Sequence, residues 1–191
     1  MSKSRMFFAA MPPEPVRQSI AGALARHGVD RALGAALFAP SNWHQSLSER
    51  VFEPTQAQIN DLLAVGAAAQ AHACTLQYNR ITSRPDGDGR IQVTLHAHGE
   101  PKAFTELVAE VQRRLPAAGY GALQVDNKPH TTLSYDAPGL IDKVALEPML
   151  RWTIDELLLL VGCGKPYRYD ILGRWPLLPE RDPPPTQMGL F

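Results

Sequence analysis

At 191 residues, with 45% hydrophobic and 20% charged residues, the chain fits one ordinary globular domain or two closely joined lobes with a substantial core. Nineteen basic residues balance nineteen acidic ones. That excludes a global field drawing the chain to nucleic acid or membrane, so an RNA ligand would be gripped through a few nucleotides only. Cys74 and Cys163 are isolated and lack CxxC spacing, which gives neither a disulfide framework nor a zinc site. The apolar run Met6–Met11 after Lys3 and Arg5 is too short for a signal core. No stretch reaches the roughly 20 apolar residues of a membrane span, so the expected location is the cytoplasm, with no membrane partner.

In chain order, Arg5 to Met11 reads as a short buried strand. Pro12-Pro13-Glu14-Pro15 suits the first turn of a helix, where proline is tolerated and an acid meets the dipole. Val16, Ile20, Ala23 and Leu24 follow at helical spacing, and Gly28 fits the C-terminal cap. Residues 34–38 are ambiguous, and Ala39-Pro40-Ser41-Asn42 is a turn into a strand centred on His44. Glu53-Pro54-Thr55 opens a second helix running towards Ala71. Thr75 to Thr82 and Arg90 to His98 form a hairpin across the Asp-Gly dipeptides at 86–89. A third helix starts near Pro101 and breaks at Pro116 to Gly121. His130 to Tyr135 is another strand, Trp152 to Val161 a central strand covered on both faces, and Tyr167 to Leu178 the last. Helices interleaved with hairpin-connected strands indicate an α+β fold with antiparallel pairing. Residues 1–178 are expected to form one bilobed domain, and the proline-rich 179–191 a surface tail or strap.

Two short stretches carry chemistry. His44-Gln45-Ser46-Leu47 and His130-Thr131-Thr132-Leu133 are each a His, any residue, a hydroxyl residue and Leu. In an extended chain, residues i and i+2 share a face, so each strand offers an imidazole and a hydroxyl on one side and an apolar anchor on the other. Two such strands facing each other would supply one imidazole to donate a proton and one to accept it.

On these motifs the chain resembles the 2H phosphoesterase superfamily, in particular its branch of 2′-5′ RNA ligases, also described as RNA 2′,3′-cyclic phosphodiesterases. Arg5-Met6-Phe7-Phe8-Ala9-Ala10-Met11-Pro12-Pro13, Pro129 before His130, and Tyr169-Asp170-Ile171-Leu172 ending at Trp175-Pro176-Leu177 are also similar to that branch. The resemblance implies two antiparallel sheets flanked by helices around a central cleft. It implies metal-independent hydrolysis of RNA 2′,3′-cyclic phosphate ends to 2′-phosphate, with reversible 2′-5′ ligation as the related reaction. His44 would be the proton donor and His130 the proton acceptor, with Ser46 and Thr132 binding the non-bridging oxygens. Lys128 and Tyr135 are the candidate substrate-binding residues. No cofactor or metal is implied, and the partners would be RNA 3′ ends or small cyclic nucleotides met by a monomer. The chain departs from the branch at Gln45 and Ser46, at Ser48-Glu49-Arg50-Val51-Phe52 in place of Phe-Leu-Gly, and at Tyr135, where an Arg is common.

Other readings compete. His96-Ala97-His98 puts two imidazoles at a zinc-compatible spacing with no third ligand in register, so an exposed strand end is the simpler reading and a metal-dependent hydrolase the rival one. His27 reads as a helix C-terminal residue, and His72 shows nothing beyond a helix end. Arg80, Arg84 and Arg90 either line the cleft or solvate the hairpin, and solvation is the simpler reading. Trp43, Tyr135 and Phe8 fall on core-facing parity. A non-catalytic RNA-end or nucleotide binder with the same fold is the remaining alternative.

Overall fold

The computed structural model describes residues 4–125 and 128–183. A strand β1 (Arg5–Ala10) leads through Pro12-Pro13 into helix α1 (Glu14–Arg26). Gly28, at φ +68°, takes the left-handed conformation after α1 that a side chain would resist, and a short helix α2 (Val29–Leu33) follows. The periodicity does not show α2; five residues are too few for a repeating pattern.

After two single helical turns come β2 (Gln45–Ser46), β3 (Val51–Phe52) and helix α3 (Gln56–Ala68). Thr55 and Gln58 cap α3 reciprocally, each side chain bonding the other's backbone N–H. The hairpin is β4 (Cys74–Pro85) and β5 (Ile91–Ala97); Asp86 accepts the N–H groups of Asp88 and Arg90 and closes the turn. Helix α4 (Lys102–Ala117) buries Phe104, Leu107, Val111 and Leu115 and runs past Pro116 into its last turn. Strands β6 (His130–Ala137), β7 (Val144–Ile154), β8 (Glu156–Cys163) and β9 (Arg168–Pro176) complete the fold.

These strands form two antiparallel sheets, as the α+β reading requires. The first has the order β2-β1-β8-β9, with β3 also on β1; the second is β6-β5-β4-β7. The expected strand from Trp152 to Val161 is two strands. Trp152 and Ile154 end β7, which pairs with β4, while β8 lies between β1 and β9 in the other sheet. Asp155 alone joins them, so one apolar run crosses from sheet to sheet. The sequence conceals β7 because Glu147 and Pro148 interrupt its pattern; β7 is an edge strand, where proline costs no ladder bond.

β8 is covered on both faces, as expected. Leu157 and Leu159 enter the main core with Met6, Phe8, Trp43, Leu76 and Trp152. Leu158 and Leu160 join Phe7 and Ala9 in a smaller cluster, against which Met11 and Tyr169 pack. Each such fully buried leucine contributes about 1.5–3 kcal/mol.

The end of β9 continues as a strap. Leu178 pairs in parallel with His72, whose Nδ1 lies 2.7 Å from the Pro179 carbonyl, and Glu180 accepts from Thr75 N (2.6 Å) and Thr75 Oγ1 (2.8 Å). His72 is therefore an anchor, a role its place at a helix end does not announce. The rest of the expected tail, 184–191, lies outside the described residues. Among the described residues no helix is long and apolar enough to cross a membrane.

Candidate active site

The two motif strands are edge strands, β2 of the first sheet and β6 of the second, and they border one cleft of about 130 Å³. His44, Ser46, His130 and Thr132 all line it, with Ser48, Glu49, Arg50, Gln92 and Tyr135. The period-2 reading holds for the anchors: Trp43, Leu47, Thr131 and Leu133 are fully buried behind the cleft. Only 45–46 of the first motif pairs as strand; Leu47 N then bonds the Phe8 carbonyl and keeps the segment on β1.

Both imidazoles are held alike. His44 Nδ1 lies 2.8 Å from the Asn42 carbonyl, and His130 Nδ1 lies 2.7 Å from the Lys128 carbonyl. A carbonyl oxygen only accepts, so each ring carries its proton on Nδ1 and keeps Nε2 for a substrate. The repeat of one device, a carbonyl two residues upstream, gives the halves a local symmetry that their sequences barely show.

Their surroundings differ. His44 sits between Phe7 (centroids 5.2 Å apart) and Tyr169 (4.9 Å). Burial there pushes its pKa from 6.5 down to about 4; the Asn42 carbonyl pulls the other way, and the charges of Arg50 and His130 add smaller downward pushes. His44 thus rests neutral in the free cleft at pH 7.

Gln45 joins the motifs. Fully buried on the core side of its strand, it accepts from His130 N through Oε1 (2.6 Å) and donates through Nε2 to its neighbour's carbonyl, Ser46 O (2.9 Å). An edge strand leaves outward N–H groups without ladder partners. Gln45 satisfies the one at His130 and ties the two sheets beside the cleft that both histidines line. Phe38 N to Leu133 O (2.9 Å) and Glu49 N to Leu123 O (2.8 Å) add further cross-links. A polar residue at apolar parity is the sequence signal for this role.

Two candidate binding residues are placed otherwise than parity or adjacency suggests. Tyr135 is 37% exposed, lines the cleft and packs edge-on against Phe38, instead of facing the core. Two register shifts along β6, opposite Val93, bury Ser134 and turn Tyr135 outward. Lys128 is exposed and not among the cleft-lining residues; its backbone carbonyl, which orients His130, is what it brings to the site.

Arg50 joins the site with no motif to announce it. Its Nη2 lies 3.4 Å from Tyr135 Oη, and its guanidinium stacks over Phe7 at 5.6 Å. Among the described residues it makes no ion pair. A cation thus enters from the first motif to meet the tyrosine that stands where an arginine is expected. Glu49 adds a carboxylate to the rim.

The His96–His98 pair does not converge. His96 Nε2 meets Thr82 Oγ1 at 2.9 Å, while His98 Nδ1 lies against Asn79 at 3.1 Å. Among the described residues no three His, Cys, Asp or Glu side chains gather as a metal site.

No protein-family model and no curated protein matches the chain. Solved structures do. Escherichia coli LigT complexed with ATP aligns with a TM-score of 0.72 at 21% identity, over 93% of this chain and 99% of LigT. A protein described as a phosphoesterase gives 0.70 at 22% identity, over 92% of this chain and 99% of its own. TT0787 of Thermus thermophilus gives 0.70 at 22% identity, over 93% of this chain and 100% of its own. The chain therefore has a LigT-like α+β fold with two antiparallel sheets, the architecture that the resemblance implies.

Proposed function

We propose that the chain is a metal-independent phosphoesterase that opens RNA 2′,3′-cyclic phosphate ends to 2′-phosphates by two-histidine acid–base catalysis. The observation that carries this reading is the paired arrangement of His44 and His130. Each is oriented through Nδ1 by a carbonyl, each is followed two residues on by a hydroxyl in the same cleft, and the two are tied together by Gln45. E. coli LigT has been crystallised with ATP and with 3′-AMP, which supports a nucleotide as the occupant.

In the reaction, water attacks phosphorus as one imidazole takes its proton, and the P–O3′ bond breaks as the other imidazole protonates O3′. Ser46 and Thr132 hydroxyls and the Arg50 guanidinium meet the charge that grows on the non-bridging oxygens. Each proton transfer contributes about 10²–10⁴-fold. An RNA 5′-hydroxyl in place of water would give a 2′-5′ linkage. Both histidines and both hydroxyls come from one chain, so a monomer suffices.

The resemblance implies His44 as donor and His130 as acceptor. The burial of His44 between two aromatic rings favours the exchange: a neutral imidazole with Nε2 unprotonated is ready to accept the proton of water.

The test is hydrolysis of a short RNA ending in 2′,3′-cyclic phosphate, in EDTA, by wild type, His44→Ala and His130→Ala. The expected result is turnover to a 2′-phosphate that survives chelation and falls at least ~10²-fold in each variant. A folded wild type without turnover would overturn the RNA-end assignment. Turnover abolished by EDTA would overturn the metal-free mechanism.

A further inference from the structure

We propose that the cleft-side face of the second sheet is a track for the RNA strand that leads into the cleft, its backbone phosphates running past Arg80 and Arg84 towards Lys143. This rests on the reading that the substrate is an RNA end. His130 stands opposite His96, and His96 opposite Arg80, so these three side chains form one row on the face that borders the cleft. Thr132, Thr94 and Thr82 form the next row, and Gln92 and Arg84 the one after. The opposite parity, Ile81, Val93 and Leu95, is fully buried, which fixes the polar row as the outward one. Strands lie about 4.8 Å apart, so Arg80 is about 10 Å from His130, within reach of the neighbouring phosphates of an extended strand.

Past Arg80 the row opens into a groove of about 500 Å³, lined by Asn79, Arg80, His98 and Lys143, with Glu147 and Met149 on its wall.

Among the described residues Arg80, Arg84 and Lys143 make no ion pair; Arg80 donates only to the Asn79 side chain and the Ala97 carbonyl. By contrast Arg90, in the adjoining turn, is neutralised by Asp86 and Asp88. A chain of zero net charge therefore keeps three unneutralised cations along one path from the cleft. Beyond the cleft, among the described residues from Arg80 and Arg84 to Lys143, the face offers hydroxyls, amides and cations and no Phe, Tyr or Trp, which suits recognition mainly of the backbone.

The experiment compares a 2′,3′-cyclic mononucleotide with a short RNA bearing the same cyclic end, for wild type, Arg80→Gln and the double variant Arg84→Gln/Lys143→Gln. Binding of a fluorescein-labelled short RNA ending in 2′-phosphate is measured beside it. Arg84 and Lys143 are exposed, so the double variant tests the track even if Arg80→Gln disturbs the strand. The expected result is a loss of about threefold per cation, and about tenfold in the double variant, in kcat/KM for the short RNA. The loss should reside in KM, with a shallower salt dependence and unchanged mononucleotide turnover. Variants equal to wild type on the short RNA would overturn the track while leaving the cyclic-phosphate reading intact. A wild type that hydrolyses neither substrate but binds the labelled RNA through these cations would overturn that reading and keep the track. Neither turnover nor cation-dependent binding would overturn both.

Discussion

Replacing Gln45 with methionine keeps the side chain's volume and removes both of its hydrogen bonds. His130 N and Ser46 O then lose the partners they have at 2.6 and 2.9 Å. The His130 N–H left without its partner costs about 1–3 kcal/mol, and the more apolar thioether offsets the smaller loss at Ser46 O, for a net loss of about 2 kcal/mol. With a urea m-value of about 2 kcal/mol/M, the unfolding midpoint should drop by about 1 M. The effect on turnover has a separate cause. Gln45 pins the second motif to the first, and a displacement of about 1 Å at a catalytic group costs on the order of 10²-fold. The Gln45→Met variant should therefore lose about 10- to 100-fold in kcat on a cyclic-phosphate RNA, with KM little changed. Urea titration followed by steady-state kinetics in the same buffer reads both quantities. Lower stability with unchanged kcat would refute the positioning role; unchanged stability would refute the hydrogen-bond argument itself.

The low pKa of His44 has a consequence for stability. Because the folded value, about 4, lies below the ordinary 6.5, the unfolded chain takes up the proton first. Stability is complete above about pH 6.5, declines as pH falls towards 4 and then levels, by up to about 3 kcal/mol, and His44→Ala should lose that component of the slope in acid titrations of unfolding. With His44 as the base, kcat/KM should keep its acid limb near pH 4; a rate that rises about tenfold per unit as pH drops from 7 to 5 would return the donor role to it. Arg50→Gln should lower kcat/KM about tenfold through KM, with partial recovery in Arg50→Lys, and equal KM values would remove Arg50 from phosphate binding. Glu180→Ala frees Thr75 from the strap and should cost about 1–2 kcal/mol in thermal or urea unfolding with no change in turnover.

The two His-x-hydroxyl-Leu segments are legible because a strand's period of two is local: it is written in consecutive residues and needs no partner to be read. The same holds for the Pro-led first helix, the Asp-Gly hairpin and the doubly covered Leu157–Val161, whose patterns are satisfied within a few residues of themselves. The division of the apolar run at Asp155 is not legible, since Ile154 and Leu157 look alike until one knows that they serve different sheets. Tyr135 departs from its expected parity for a related reason. A bulge reverses parity, and the extra residues in β6 are defined only against β5. Gln45, Arg50 and Tyr169 acquire their functions from residues 85, 85 and 125 positions away, respectively His130, Tyr135 and His44. By itself the sequence determined which side chains could exchange protons and which faces they share with a hydroxyl. The tertiary structure decided that two edge strands border one cleft, that a buried amide holds them together, and that one imidazole is packed between two aromatic rings with a cation nearby. Burial and charge proximity belong to the packed arrangement, and no single segment contains them.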